Sequence, residues 1–559
     1  MIENLPRALN LNHLQKINFG NIEANDDQLL FDSVCKTAAI TEFINGNKNI
    51  VLGEKGTGKT ALFRLIKDNK LKFNQNNGYK NIIIPVEDNF QYKSVKNKIL
   101  SLISTNDDEI SFKYQVVWEL FFFQKIINKL ESLELNLPSS IKKSINLTNQ
   151  YLNNSQIDNL IKNKITIGVK LYDTATNILP NFYVTNEPIS SDANTKTDAI
   201  EKLEIDLDYF KNEINTFLIQ NELNFVIIID RLDEFVSKAE QKTQLEMLDA
   251  LIAVEREYGR FSNIELKIFL RDDLFKQLSF EGIGYDKVIS KKIDLKWTPE
   301  KIREFIAKRV YANYLNIYNL NSLILSVDKE NLEIDTSIDS DNYVRPNFII
   351  RSYRKLIKKI NPKHYAQKFP RKVNLNDNLN KQIILSIFPK YVDFKNEEGK
   401  IIEMDIFDYF SENFNLGTGN SIPRLILIFL DKVMSVAKNY YIENSDQTPF
   451  IQTEHQCFEV FKQGFFIEAY SEFKNEIYIN FSKLNPEFEN MIMLFKEKIG
   501  NRYSFRAKEL KGLLNVKDDL EIYHFCEYLV HIGFLKRTNS TTSIEDMKFE
   551  LPIIFRNLK

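Results

Sequence analysis

The residues best suited to chemistry form one run near the N-terminal end: Gly53-Glu54-Lys55-Gly56-Thr57-Gly58-Lys59-Thr60. They follow the G-x-x-x-x-G-K-[ST] spacing, in which each position has a mechanical role. Gly53, Gly56 and Gly58 allow the backbone to curl so that its amides turn inward on a phosphate. Lys59 can set its ammonium between β- and γ-phosphates, and Thr60 offers a hydroxyl to a magnesium ion. A helix that starts at this point turns its positive end toward the anion. A plain glycine turn would not require Lys59 and Thr60 together.

A second constellation lies far along the chain. The most apolar run, 225–229, ends at Asp230 and continues as Arg231-Leu232-Asp233-Glu234. Asp230 stands where an acidic strand tip meets magnesium, directly or through water. Asp233 and Glu234 follow within one turn, where a carboxylate can orient an attacking water; Glu234 is the first choice as base and Asp233 the second. The alternative is that both simply begin a helix, as acids commonly do. After the apolar run 265–270 comes Arg271, positioned to sense a γ-phosphate or to stabilise charge developing there. A salt bridge to a neighbouring acid is the competing use of that side chain. Together these residues predict ATP with Mg²⁺ as the ligand. No Asn-Lys-x-Asp motif occupies a suitable loop, which favours adenine over guanine.

These groups need a scaffold that brings distant segments to one edge. Short apolar strands at 49–52, 81–85, 225–229, 265–270 and 292–295 alternate with helices, including 59–66, 112–130 and 241–255. Alternation of this kind predicts an α/β fold with a parallel sheet, the P-loop NTPase core. An opening helix is read over 26–43 and another over 197–221. The stretch 132–196 is polar, asparagine-rich and read as an insertion of weak structure. Beyond Trp297 the pattern turns helical, at 299–311, 347–360, 379–387 and 423–439. From 486 onward three helical stretches precede two strands, 533–537 and 547–554, the order of a winged helix. The predicted divisions are a core over 1–297, a helical lid with a basic insertion over 298–450, and a winged-helix-like domain over 451–559.

At 559 residues the chain is too long for a single core. A formal net charge of −2 excludes a global field drawing it to nucleic acid or anionic lipid. Its three cysteines, Cys35, Cys457 and Cys526, are far apart and have no metal spacing, which fits a reducing cytoplasm. No apolar run reaches the ~20 residues of a membrane span, and residues 1–12 lack the apolar region of a secretory signal. A cytoplasmic protein with no membrane association is expected.

With these motifs in hand, the chain resembles the branch of AAA-type P-loop ATPases that includes origin-recognition and STAND signalling ATPases. More narrowly, it is similar to a bacterial P-loop ATPase family often found among phage-defence genes. The likeness rests on Phe19-Gly20 with Glu23-Ala24, on Gly53 to Thr60, on Asp230 to Glu234 and on Arg271 to Leu274. Trp297-Thr298-Pro299 looks like the start of a helical lid. Ser421-Ile422-Pro423-Arg424 looks like that lid's Pro-Arg signature, which implies that Arg424 approaches the nucleotide. The ending Phe549-Glu550-Leu551-Pro552-Ile553-Ile554 is also similar. The Asp-Arg-Leu-Asp-Glu form departs from the adjacent Asp-Glu of common AAA proteins and leaves the base open between Glu234 and Asp233. The resemblance implies an ATPase switch that acts through a homo-oligomer or a separately encoded effector protein in bacterial defence.

The rival class is a DNA-binding ATPase. Between 345 and 372 lysines and arginines recur without an acid, with Phe348, Tyr353, Tyr365 and Phe369 among them, an electrostatic footprint for nucleic acid. A solvated helix face is the equal alternative. The expected recognition helix of the C-terminal module instead carries Asp518, Asp519 and Glu521, which repel phosphate.

Overall fold

The computed structural model describes residues 11–46, 48–74, 78–87, 110–133, 135–151, 166–170, 183–187, 200–232, 241–280, 284–317, 377–395, 399–444, 460–483, 489–499, 502–514, 516, 518–541, 543 and 546–556. The chain divides into two compact units, one formed by 38–54 and 62–295, the other by 1–37, 55–61 and 296–559.

The first unit is built on strands β1 (Ile50–Gly53), β2 (Lys80–Val86), β6 (Leu223–Ile229), β7 (Ile264–Arg271) and β8 (Lys292–Asp294), with a smaller sheet of β3 (Thr166–Lys170), β4 (Tyr183–Glu187) and β5 (Ile200–Asp206). The five main strands run parallel in the order β2-β6-β7-β1-β8. Every residue of β1 is buried, as are the last six of β6, the near-continuous apolar pattern of a parallel sheet covered on both faces. Parallel order also brings all five C-terminal ends to one edge, where ligands of such sheets bind.

The helix Ile110–Glu131 is almost wholly apolar over its middle two turns. Val116, Val117, Trp118, Leu120, Phe121, Phe122 and Phe123 are all buried, which requires cover all round. Glu119 is buried among them, and its carboxylate is 3.1 Å from Lys211 Nζ. That ammonium also reaches Asp208 at 3.2 Å and lies over the Tyr258 and Phe261 rings. Burial still pushes the Glu119 carboxyl above its usual range.

The second unit is mainly helical and has one apolar core that runs from Leu14 to Phe555. Its long helices are Pro299–Ile317, Pro423–Glu443 and Phe465–Lys483. A hairpin of β9 (Tyr391–Lys395) and β10 (Ile401–Asp405) stands beside them. Toward the C-terminus come a helix Glu489–Ile499, β11 (Ser504–Arg506), helices Ala507–Leu513 and Asp519–His531, then β12 (Lys536–Arg537) and β13 (Lys548–Glu550). These three strands form an antiparallel sheet in the order β11-β13-β12.

Three expectations from the sequence are corrected. The helix read over 26–43 is only Ala38–Ile44. Residues 26–33 are turns instead, because Asp27 accepts from the backbone of Asn21 and Leu29 and pairs with the buried Arg309. The helix read over 197–221 begins only at Leu207, since 200–206 pair as β5 with β3 and β4. The stretch 132–196 is not uniformly weak: it holds the helix Ser139–Tyr151 and strands β3 and β4. The predicted helix 347–360 lies outside the described residues.

Lys474, on the helix Phe465–Lys483, donates to the Arg556 carbonyl at 2.9 Å. Burial, helped by Lys395, pushes its ammonium from 10.5 down to about 8. Between those values the unfolded chain holds the proton that the folded one has lost, so this group adds stability as pH rises and costs it below about 8. Denaturant unfolding of Lys474→Met should therefore lack a rise of about 3 kcal/mol that the parent shows from pH 8 to 10.5. Parallel pH profiles for the two proteins would contradict this.

Candidate functional site

The glycine-rich run 53–60 starts at the C-terminal tip of β1. Gly53 is the last residue of that strand and lies opposite Arg271 of β7. Lys59 and Thr60 are the first two residues of the helix Lys59–Lys67, so strand, turn and helix follow one another as the sequence predicts. Between them Gly56 takes φ +93° and Gly58 φ +102°. Both values lie in the region that side chains rarely adopt, so the motif's glycines serve a conformational need. A Cβ on Gly58 would meet nothing within 4 Å, whereas one on Gly56 would lie 2.8 Å from Arg424 Cβ and 2.9 Å from Ile422 Cγ2.

The loop's carbonyls are held by the unit to which 55–61 belong. The backbone N–H of Arg424 donates to the Gly56 carbonyl at 3.4 Å. Arg424 is the second residue of the helix Pro423–Glu443, whose first N–H groups have no intrahelical acceptor, and Pro423 has no N–H at all. The Trp297 indole Nε1–H donates to the Thr57 carbonyl at 2.8 Å, and its ring meets Phe305 edge-on at 5.6 Å. Thr57 is itself buried. The Arg424 guanidinium lies 3.5 Å from the Glu23 carboxylate, which brings together two residues that the sequence links only through family likeness.

On the sheet edge, Asp230 follows the last residue of β6, and its backbone N–H donates to Val86 of β2 at 3.3 Å. Its side chain is buried at 3% exposure. Because β7 lies between β6 and β1, Asp230 is two strand spacings, about 9.6 Å, from the β1 strand line. Arg231 then adopts φ +59°, an uncommon conformation for a residue with a side chain and a local store of strain. Asp233 and Glu234 lie outside the described residues, as does the basic run 345–372.

Arg271 is in the salt bridge that the sequence left as its competing use. Its Nε donates to Asp273 Oδ1 at 2.9 Å and its Nη2 to Asp273 Oδ2, a two-pronged pairing at the tip of β7.

Burial lifts the thiols of Cys35 and Cys526 to about 12, which leaves them protonated at neutral pH. Among the described residues no group of three or more His, Cys, Asp or Glu could hold a metal ion. A magnesium ion here would depend on one hydroxyl, one carboxylate and its own waters and phosphates, the usual sparse protein ligation of that ion. Among the described residues no helix is long and apolar enough to cross a membrane.

Trp297 is the contact that sequence reasoning missed. Its place after β8 marks the end of the sheet, and nothing in the spacing links it to Thr57. Compared with models of known families, with curated proteins and with solved structures, the chain finds no significant match in any of the three.

The two inner glycines make a paired prediction. Both impose backbone strain on alanine, but only at Gly56 would the new methyl meet neighbouring atoms. Gly56→Ala should therefore lose about 1–3 kcal/mol more stability than Gly58→Ala in denaturant unfolding. Equal losses would show that Ile422 and Arg424 do not confine the loop.

Proposed function

We propose that this chain is an ATP-dependent molecular switch. It binds ATP with Mg²⁺ on Gly53 to Thr60, hydrolyses it, and uses the change at the loop to control oligomerisation or a separate effector. The observation that carries this reading is the loop itself. Positive φ at Gly56 and Gly58, with Lys59 and Thr60 opening a helix at the end of a parallel strand, supports an anion cradle.

In this reading the amides of the loop and the Lys59 ammonium hold the phosphates. Thr60 and Asp230 would hold the magnesium, which would supply neutralisation of phosphate charge. Glu234, or Asp233 in its place, orients the attacking water. Arg271 reaches the γ-phosphate by exchanging Asp273 for it, and Arg424 approaches by leaving Glu23. Because the helix Pro423–Glu443 begins on the Gly56 carbonyl, occupancy of the loop bears directly on that helix. This is the argument for a switch rather than a simple hydrolase. The C-terminal order of helices and strands is compatible with a winged helix, here serving protein contact or lid support. Bacterial anti-phage defence, in the cytoplasm, is the setting that the family likeness suggests.

A DNA-binding ATPase remains the second reading, on the basic run 345–372. The helix Asp519–His531 argues against DNA at the C-terminal module, since Asp518 caps it and Asp519 and Glu521 occupy its first turn.

Titration calorimetry with ATP and Mg²⁺ should show that Lys59→Ala abolishes binding. Glu234→Gln should keep binding yet lower hydrolysis by about 10²-fold or more. Full ATP binding by the Lys59 variant would overturn the proposal. Strong stimulation of hydrolysis by DNA would move the reading to the second class.

A further inference from the structure

We infer that Trp297 is a positioning residue for the phosphate cradle: its indole N–H aims the loop's amides by holding the carbonyl behind them. The inference rests on the ATP-binding reading and adds to it a residue outside the motif.

The argument follows from peptide geometry. In a planar trans peptide the C=O of one residue and the N–H of the next point to opposite sides. The peptide joining Gly56 to Thr57 has its oxygen fixed by the Arg424 N–H at 3.4 Å. The peptide joining Thr57 to Gly58 has its oxygen fixed by Trp297 Nε1–H at 2.8 Å. With both oxygens engaged on the side of Trp297 and the helix Pro423–Glu443, the N–H groups of Thr57 and Gly58 are turned away from those partners. Two successive amides directed together form a backbone nest for an anion. The space where a Gly58 Cβ would project is open to 4 Å.

The two anchors differ in kind. The Arg424 donor is backbone and persists in any side-chain substitution except proline. The Trp297 donor is a side chain, is the shorter contact, and depends on one nitrogen. The edge-on contact with Phe305 at 5.6 Å keeps the indole in place. Phenylalanine at 297 would retain much of that packing while removing the N–H. The Thr57–Gly58 peptide would then lose the donor that fixes its oxygen, and part of the binding free energy would go into orienting it.

The test uses the full chain with Mg²⁺, and ATP and inorganic tripolyphosphate as probes in titration calorimetry. Trp297→Phe should weaken both by about five- to tenfold, the range expected for one hydrogen bond, with unfolding temperature in the absence of ligand little changed. Trp297→Ala should weaken both probes no more than about twofold further. Equal affinity in the parent and Trp297→Phe overturns the inference while leaving ATP binding intact. No binding of either probe by the parent overturns the ATP reading itself. Should Trp297→Phe fail to fold, ¹⁵N-tryptophan spectra of the parent decide the matter. The indole N–H of Trp297 should shift on saturation with tripolyphosphate while that of the buried Trp118 stays fixed, and an unmoved Trp297 signal contradicts the inference.

Discussion

A peptide group cannot present its carbonyl and its amide on the same side, and the candidate site depends on that constraint. Around Thr57 the carbonyls are engaged by Trp297 and by the start of the helix Pro423–Glu443. The amides of the same two peptides point to the opposite side, the arrangement on which the proposed anion cradle rests. Gly56 and Gly58 are needed because the turn uses positive φ twice in three residues. Gly56 has a second reason to lack a side chain, the close approach of Ile422 and Arg424. The same few atoms thus tie the glycine-rich loop to Trp297 and Arg424 of its own unit, which gives the proposed switch a physical route.

Charge is handled consistently across both units. Arg309 and Asp27 are buried together, with Nη2 to Oδ2 at 2.5 Å, and Arg309 also reaches the Phe19 carbonyl. Glu119 and Lys211 repeat the arrangement within the first unit. Removing either partner of such a pair would strand a buried charge, which costs far more than the pair contributes. At the candidate site the arginines are half-exposed and their acid partners are near in sequence or on turns. Arg271–Asp273 and Arg424–Glu23 are therefore the more readily exchanged pairs, as the proposed function requires, whereas Arg309–Asp27 is a fixed structural link.

Much of the sheet was legible in the sequence because buried parallel strands are continuous apolar runs. The runs 225–229 and 265–270 fall within β6 and β7 with at most two residues to spare at either end. The turn at Gly56 and Gly58 was legible because positive φ calls for glycine there. Illegible were features set by tertiary partners. Residues 26–33 read as helix by their spacing, but Asp27 spends its side chain on the backbone of Asn21 and Leu29 and on Arg309. Residues 200–206 alternate ambiguously, and strand pairing with β3 and β4 decided them. The Trp297 contact spans 240 residues of sequence, and no local pattern encodes an indole pointed at a distant carbonyl.

The most direct test of the central claim is an experimental structure of the chain with a non-hydrolysable ATP analogue and Mg²⁺. The account predicts a phosphate on the amides of Thr57 and Gly58, with Thr60 and Asp230 turned to the metal and the Trp297–Thr57 hydrogen bond retained. A nucleotide bound elsewhere, or a loop whose carbonyls rather than amides face the phosphate, would contradict it.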